Sequence, residues 1–281
     1  LQLKQLTLIG KTTLTTAIMT IVWSLISEMG GEVVSKINHH SENWSVISCE
    51  LLLEGIAIFL MWLTYYRHPK IWAFADQQLQ KRYLLGFLFG TIWFALSWSI
   101  CVILGGFKVQ FIGKFSNLGW FIVFLVGFAV QSMFEELICR GYIMGKFLEL
   151  NLPKTAIIVN SLLFMLLHTG NDGFSLLAAL DLLFFAFAMS LLRLQTQSLW
   201  FVGAFHAAWN FAEGVLFGTA VSGTTKQAII FNSIRMSHKS LVNGGIFGVE
   251  NSLVSVILDG ILLLIIVGYV YWHHNYQPID S

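Results

Sequence analysis

Residues 117–144 read NLGWFIVFLVGFAVQSMFEELICRGYIM. A bilayer crossing takes roughly 20 predominantly apolar residues, and this run meets that length while carrying Glu135, Glu136 and Arg140 near its far end. A charged side chain at mid-bilayer costs roughly 2.5–3.5 kcal/mol on insertion scales, so an acid pair at such depth marks a functional site. Glu136 and Arg140 are four residues apart, share one helical face and are placed to form an ion pair that eases the burial of both. Glu135 points about 100° away from that pair.

The remainder of the chain agrees with a membrane setting. Of 281 residues, 56% are hydrophobic and 11% charged, where soluble domains carry roughly a quarter charged; the mean hydropathy is +0.73. The expectation is an all-α polytopic membrane protein, a bundle of about eight transmembrane helices enclosing an intramembrane active-site cavity. Spans are expected near residues 12–29, 49–66, 83–106, 117–148, 155–169, 174–193, 197–217 and 251–272. The whole chain, 1–281, reads as a single transmembrane domain with no soluble domain appended. A core of about 117–262 holds the charged run, and the first three helices precede it.

The first run ends at Glu28 without a small-residue cleavage site, so it is expected to be a retained helix, not a removable signal. The connection from Gly218 to Glu250, rich in Gly, Ser and Thr, either folds over a helix end or re-enters the membrane. Lys and Arg divide about ten to six in favour of both termini being cytoplasmic. Net charge of +1 and the lack of a long basic run exclude a nucleic-acid partner. Cys49, Cys101 and Cys139 are odd in number and lie in or beside apolar runs, as small buried side chains do and a disulfide framework does not.

Other polar residues fall at matching depth. Asn151-Leu152-Pro153-Lys154 is a turn whose proline starts the next helix. At 1.5 Å per residue, Glu135 before it and His168 after it both lie roughly 20–25 Å from the same membrane face. A second turn near Gln195 to Ser198 sets His206 at roughly 15 Å and Asn210 at roughly 20 Å from that side. The pairs Phe164/His168 and His206/Asn210 each share a helical stripe, so Glu135, His168, His206 and Asn210 are expected to line one cavity, with Glu136 and Arg140 behind them.

A carboxylate and an imidazole around one water can take its proton and return one to the leaving amine of a peptide bond; Glu135 and His168 fit that role. Imidazole N–H and amide NH₂ from one helical face can hold the developing oxyanion; His206 and Asn210 fit this one. A zinc-dependent version would use Glu135, His168 and His206 as ligands with an open position for water, although the HExxH spacing is absent and Asn is a poor zinc ligand. Cys139 as a nucleophile is weaker than Cys139 as a packing residue. Glu54, Asp181, Glu213 and Asp259 also lie in or near spans. Those surplus acids would suit a proton-coupled transporter, but no inverted repeat or matched pair of broken helices supports one.

Glu135-Glu136-x-x-x-Arg140, Phe164-x-x-x-His168 and His206-x-x-x-Asn210, in that order, resemble the three-part signature of the CPBP (CAAX protease and bacteriocin-processing, Abi) family. The likeness runs from about Leu118 to Phe217, and Gly244 to Glu250 is similar to the stretch before the last helix in bacterial members. The resemblance implies an eight-helix intramembrane endopeptidase of the glutamic type that needs no cofactor. In it Glu135 and His168 activate water, His206 and Asn210 form the oxyanion pair, and Glu136, Arg140 and Phe164 support them. It further implies a peptide or membrane-protein substrate cleaved within the lipid bilayer of a bacterial plasma membrane, without settling which; the bacterial look of the second half argues against a prenyl group on it. Bacteriocin or signal-peptide processing and self-immunity are the roles it suggests. A bacteriocin immunity protein that binds without hydrolysis is the non-enzymatic alternative.

Overall fold

The computed structural model describes residues 2–37, 44–224 and 226–276. The helices are α1 (Gln2–Ile37), α2 (Trp44–Tyr65), α3 (Leu79–Ile103), α4 (Leu118–Glu136), α5 (Met144–Glu149), α6 (Pro153–Leu167), α7 (Leu176–Thr196), α8 (Trp200–Phe211), the short α9 (Ser240–Asn243) and α10 (Leu253–Tyr276). Every apolar run expected to be a span lies on a helix. Five helical stretches, Leu3–Ser27, Leu79–Ile103, Phe115–Glu149, Leu176–Thr196 and Leu253–Trp272, are long and apolar enough to cross a membrane, whereas Leu51–Tyr65 and Pro153–Leu167 are apolar but shorter. The expected number of eight full crossings is therefore not reached by length and composition among the described residues. Cys49 lies where side chains are outside the described residues; Cys101 and Cys139 are buried free thiols.

The bundle is organised around α8. Every residue from Val202 to Phe211 is buried, as befits a helix that is apolar on all sides and enclosed by others. On one flank α3 approaches through Gly86 and Gly90, where an added Cβ would lie 2.3 Å from the carbonyl oxygens of Phe201 and Phe205 respectively. This is small-residue packing at four-residue spacing, which brings helix backbones together where the hydrophobic effect gives no drive. On another flank α8 meets α4, which in turn packs on α2 and through it on α1; α6 pairs with α7, and α7 with α10.

Between α8 and α10 the chain contains a strand. Strands β1 (Phe107–Phe111) and β2 (Phe231–Arg235) pair antiparallel with Phe107 opposite Arg235, a two-stranded element the sequence reading did not include. Trp98 of α3 anchors it, stacking on Phe217 at 4.3 Å and donating to Ser233 Oγ at 2.9 Å. The connection folds over the end of α6: Asn171 Nδ2 donates to the Ser222 carbonyl at 2.7 Å, and Asn251 Nδ2 to the Gly173 carbonyl at 3.2 Å.

Candidate active site

Glu135 and Glu136 sit on the last turn of α4, and the chain then passes through a π-helical segment, Leu137–Ile143, before resuming as α5. A π segment widens the helix by one residue per turn and is frequent at functional sites. The segment is buried throughout, and from it Arg140 reaches back to donate to Glu136 Oε1 at 2.8 Å, both side chains fully buried. The guanidinium lies 4.4 Å from the ring centre of Phe164 and 5.8 Å from that of Phe185. Aromatic faces thus take up much of a buried cation that a single carboxylate neutralises.

His206 is bracketed by the two acids. Its Nδ1 lies 3.0 Å from Glu136 Oε1 and its Nε2 lies 3.7 Å from Glu135 Oε2. A carboxylate only accepts, so Nδ1 carries the proton that faces Glu136. His168 caps the end of α6, and its Nδ1 lies 2.8 Å from the Phe164 carbonyl. The carbonyl likewise only accepts, which leaves Nε2 of a neutral His168 as the basic nitrogen. Phe164 therefore contributes an oxygen that sets one histidine and a ring that covers Arg140.

The expectation of one cavity for four residues is altered. Glu135 and His168 line a cavity of about 230 Å³ together with Ser24 and Ser27 of α1, Glu54 of α2 and Asn171. His168 also lines a hollow of about 10 Å³ with His206, Asp181, Ser222, Glu250 and Asp259, room for about one water. His168 is common to both. Asn210 lines neither: its amide donates to Gln131 Oε1 at 3.1 Å and to Ser132 Oγ at 3.4 Å, while Gln131 Nε2 donates to Glu135 Oε1. The reason is that Gln131, one turn before Glu135, occupies the space between the Asn210 amide and the carboxylate.

Gln131, Ser132 and Glu250 were missed by the sequence reading. Gln131 was legible as the polar residue one helical turn before Glu135; Glu250 ends the Gly244–Glu250 stretch already singled out, but only the fold shows it in one hollow with two histidines. Two of the four surplus acids are seen with partners: Asp259 Oδ1 accepts from Trp93 Nε1 at 3.0 Å, and Glu213 Oε1 from the Val249 N–H at 3.1 Å. Among the described residues, no group of three His, Cys, Asp or Glu converges as a metal site requires.

This arrangement joins two glutamates on one helix end to a histidine from each of two others, inside a helical bundle. Residues 117–212 match the Type II CAAX prenyl endopeptidase Rce1-like family. The Rce1-like stretch spans roughly a third of the 281 residues and contains Glu135, Glu136, Arg140, Phe164, His168, His206 and Asn210. It points to a membrane-embedded protease acting on a peptide or protein substrate. No curated protein matches the chain.

Proposed function

We propose that this protein is an intramembrane endopeptidase of the glutamic type, hydrolysing a peptide bond with a water activated by Glu135 and His168. The observation that carries the reading is the bracketing of His206 between Glu136 and Glu135, beside a cavity that Glu135 and His168 both line. Glu135 is the only acid of the pair with access to the cavity: its side chain is 29% exposed, against 0% for Glu136. Water in that cavity loses a proton to Glu135 or to the basic Nε2 of His168 and attacks the carbonyl; the same groups then protonate the leaving amine.

His206 donates to the developing oxyanion from Nε2 when the ring carries both protons, and the carboxylates on either side balance that charge. Asn210 joins it by exchanging its bond to Gln131 for one to the oxyanion. In the resting protein Gln131 therefore ties the donor amide to the carboxylate that activates water. Metal independence belongs to this proposal, as does a physiological role in bacteriocin or signal-peptide processing or self-immunity in a bacterial plasma membrane.

Purified protein in detergent or nanodiscs, incubated with candidate peptide substrates and analysed by mass spectrometry, tests the reaction. Glu135→Gln, His168→Ala and His206→Ala are each expected to lower kcat/KM by at least about a hundredfold, the scale of general acid–base and oxyanion contributions. Cleavage is expected to survive chelator treatment. Full activity in the three variants would overturn the mechanism, and loss on chelation restored by zinc would establish the metal-dependent version.

A further inference from the structure

The connection between α8 and α10 leaves a groove of about 730 Å³ between β2 and the turn around Ser240 and Gly245, within the size range of ligand sites. Its charge is one-sided: Lys226 and Arg235 line it, and none of its lining residues is acidic. Lys226 Nζ donates to neutral oxygens, Asn232 Oδ1 at 2.6 Å and the Ser233 carbonyl at 3.4 Å. Burial, together with the neighbouring Arg235 charge, pulls the Lys226 ammonium below the usual lysine range. Two adjacent cations with no carboxylate paired to them among the described residues favour an anionic guest.

The strand edge supplies a second feature. Met236 donates to the Gly106 carbonyl at 3.0 Å and Ile112 to the Ile230 carbonyl at 2.9 Å. With the observed register, the even-numbered residues of β2 are thus the ones bonded to β1. Alternation along the strand turns the N–H and C=O of Ser233 and Arg235 to the opposite edge. Those of Ser233 are engaged, by the Gly218 carbonyl and by Lys226; those of Arg235, a residue that lines the groove, are directed to the same edge. Gly223 lines the groove, and the adjacent Ser222 lines the hollow with His168 and His206. The groove is therefore one residue away from the candidate active site.

We infer that this groove binds an acidic stretch of the polypeptide substrate, extended along the edge of β2 with its backbone paired to Arg235 and a carboxylate set between Lys226 and Arg235. Strand addition supplies affinity through the backbone and the two cations supply selectivity. The inference rests on the peptidase reading for what is cut, not for what is bound.

Fluorescence anisotropy of a labelled Glu-containing peptide and its Gln counterpart, against the Glu135→Gln protein in neutral detergent, measures binding without turnover. The acidic peptide is expected to bind about five- to tenfold tighter, an advantage that shrinks with added salt. Lys226→Gln with Arg235→Gln is expected to erase the difference, and Lys226→Glu with Arg235→Glu to shift the preference to a Lys counterpart. Bound acidic peptide slows hydrogen exchange at the Arg235 amide. Equal binding of the Glu and Gln peptides, binding unchanged in both double variants, or an unprotected Arg235 amide overturns the inference. So does displacement of the peptide by anionic phospholipid with the same Lys226 and Arg235 dependence, which would make a headgroup the occupant. Acid-selective binding without cleavage by the native protein would keep the groove and remove the peptidase; cleavage without acid selectivity would do the reverse.

Discussion

Glu136 and Arg140 are both fully buried and share one short contact, so each is the other's means of staying in an apolar interior. Removing one partner leaves an uncompensated charge, which costs about 3–5 kcal/mol, whereas removing both can be nearly neutral. Arg140→Leu is thus expected to lower unfolding stability by that amount. Glu136→Gln combined with Arg140→Leu should recover most of it, as read by thermal unfolding in detergent. Activity should not return with stability, because Glu136 Oε1 also sets the Nδ1 proton of His206. Gln131 gives the complementary case. Gln131→Leu keeps the volume and deletes the bridge from Asn210 to Glu135; kcat is expected to fall about tenfold, the size of one net hydrogen bond. A value equal to that of the native protein would show that Asn210 and Glu135 need no such link.

At the scale of elements, the approach of α3 to α8 is set by backbone, not by side chains. Gly90→Ala puts a methyl 2.3 Å from the Phe205 carbonyl oxygen, and Gly86→Ala does the same at Phe201, so either substitution must push the helices apart. Both variants are expected to lose most of their monodisperse yield on size exclusion, whereas Gly119→Ala, which meets nothing within 4 Å, should match the native protein. The spacing of Gly86 and Gly90 was visible in the sequence, although only the structure shows which partner it serves. The helices themselves were legible because apolar length is a local property, and the meeting of Glu135 with His206 followed from depth counted from two turns. The π-helical segments after Glu136 and Phe211 were not legible, since they come from tertiary packing and not from residue type. Tertiary packing also keeps Asn210 out of the cavities that Glu135 and His168 line, because the Gln131 amide stands between it and the Glu135 carboxylate. The paired strands escaped for a related reason: each is five residues long and draws its stability from a partner more than a hundred residues away.

Across the whole molecule, the relative heights of α4 and α8 determine whether Glu135 and His206 meet, and the loop between α2 and α3 fixes those heights. Lys70 Nζ donates to the Leu148 carbonyl at 2.7 Å, in the last turn of α5, while the Ala73 carbonyl accepts the Leu199 N–H at 3.0 Å and the Phe74 carbonyl accepts Trp200 Nε1 at 2.9 Å, at the start of α8. Asp76 secures this strap through Arg82 at 2.9 Å and the Gln78 N–H at 2.8 Å. Burial opposes the Asp76 charge, but hydrogen bonds from Ser198, Gln78 and Arg82, with the Arg82 charge, outweigh it and hold the carboxyl below the usual aspartate range. A carboxyl whose folded-state value is depressed stabilises the fold fully above its unfolded value, about 3.9. That contribution fades as pH falls through the lower folded value. The strap should therefore loosen only below about pH 4, seen as faster hydrogen exchange at the Leu199 amide relative to amides inside α8. Asp76→Asn removes the charge at every pH, so it should speed that amide's exchange at neutral pH and flatten its acid dependence. If the native and Asp76→Asn proteins exchange Leu199 alike at pH 7, the strap does not hold α8, and the alignment of His206 with Glu135 must come from the direct packing of α8 on α3 and α4.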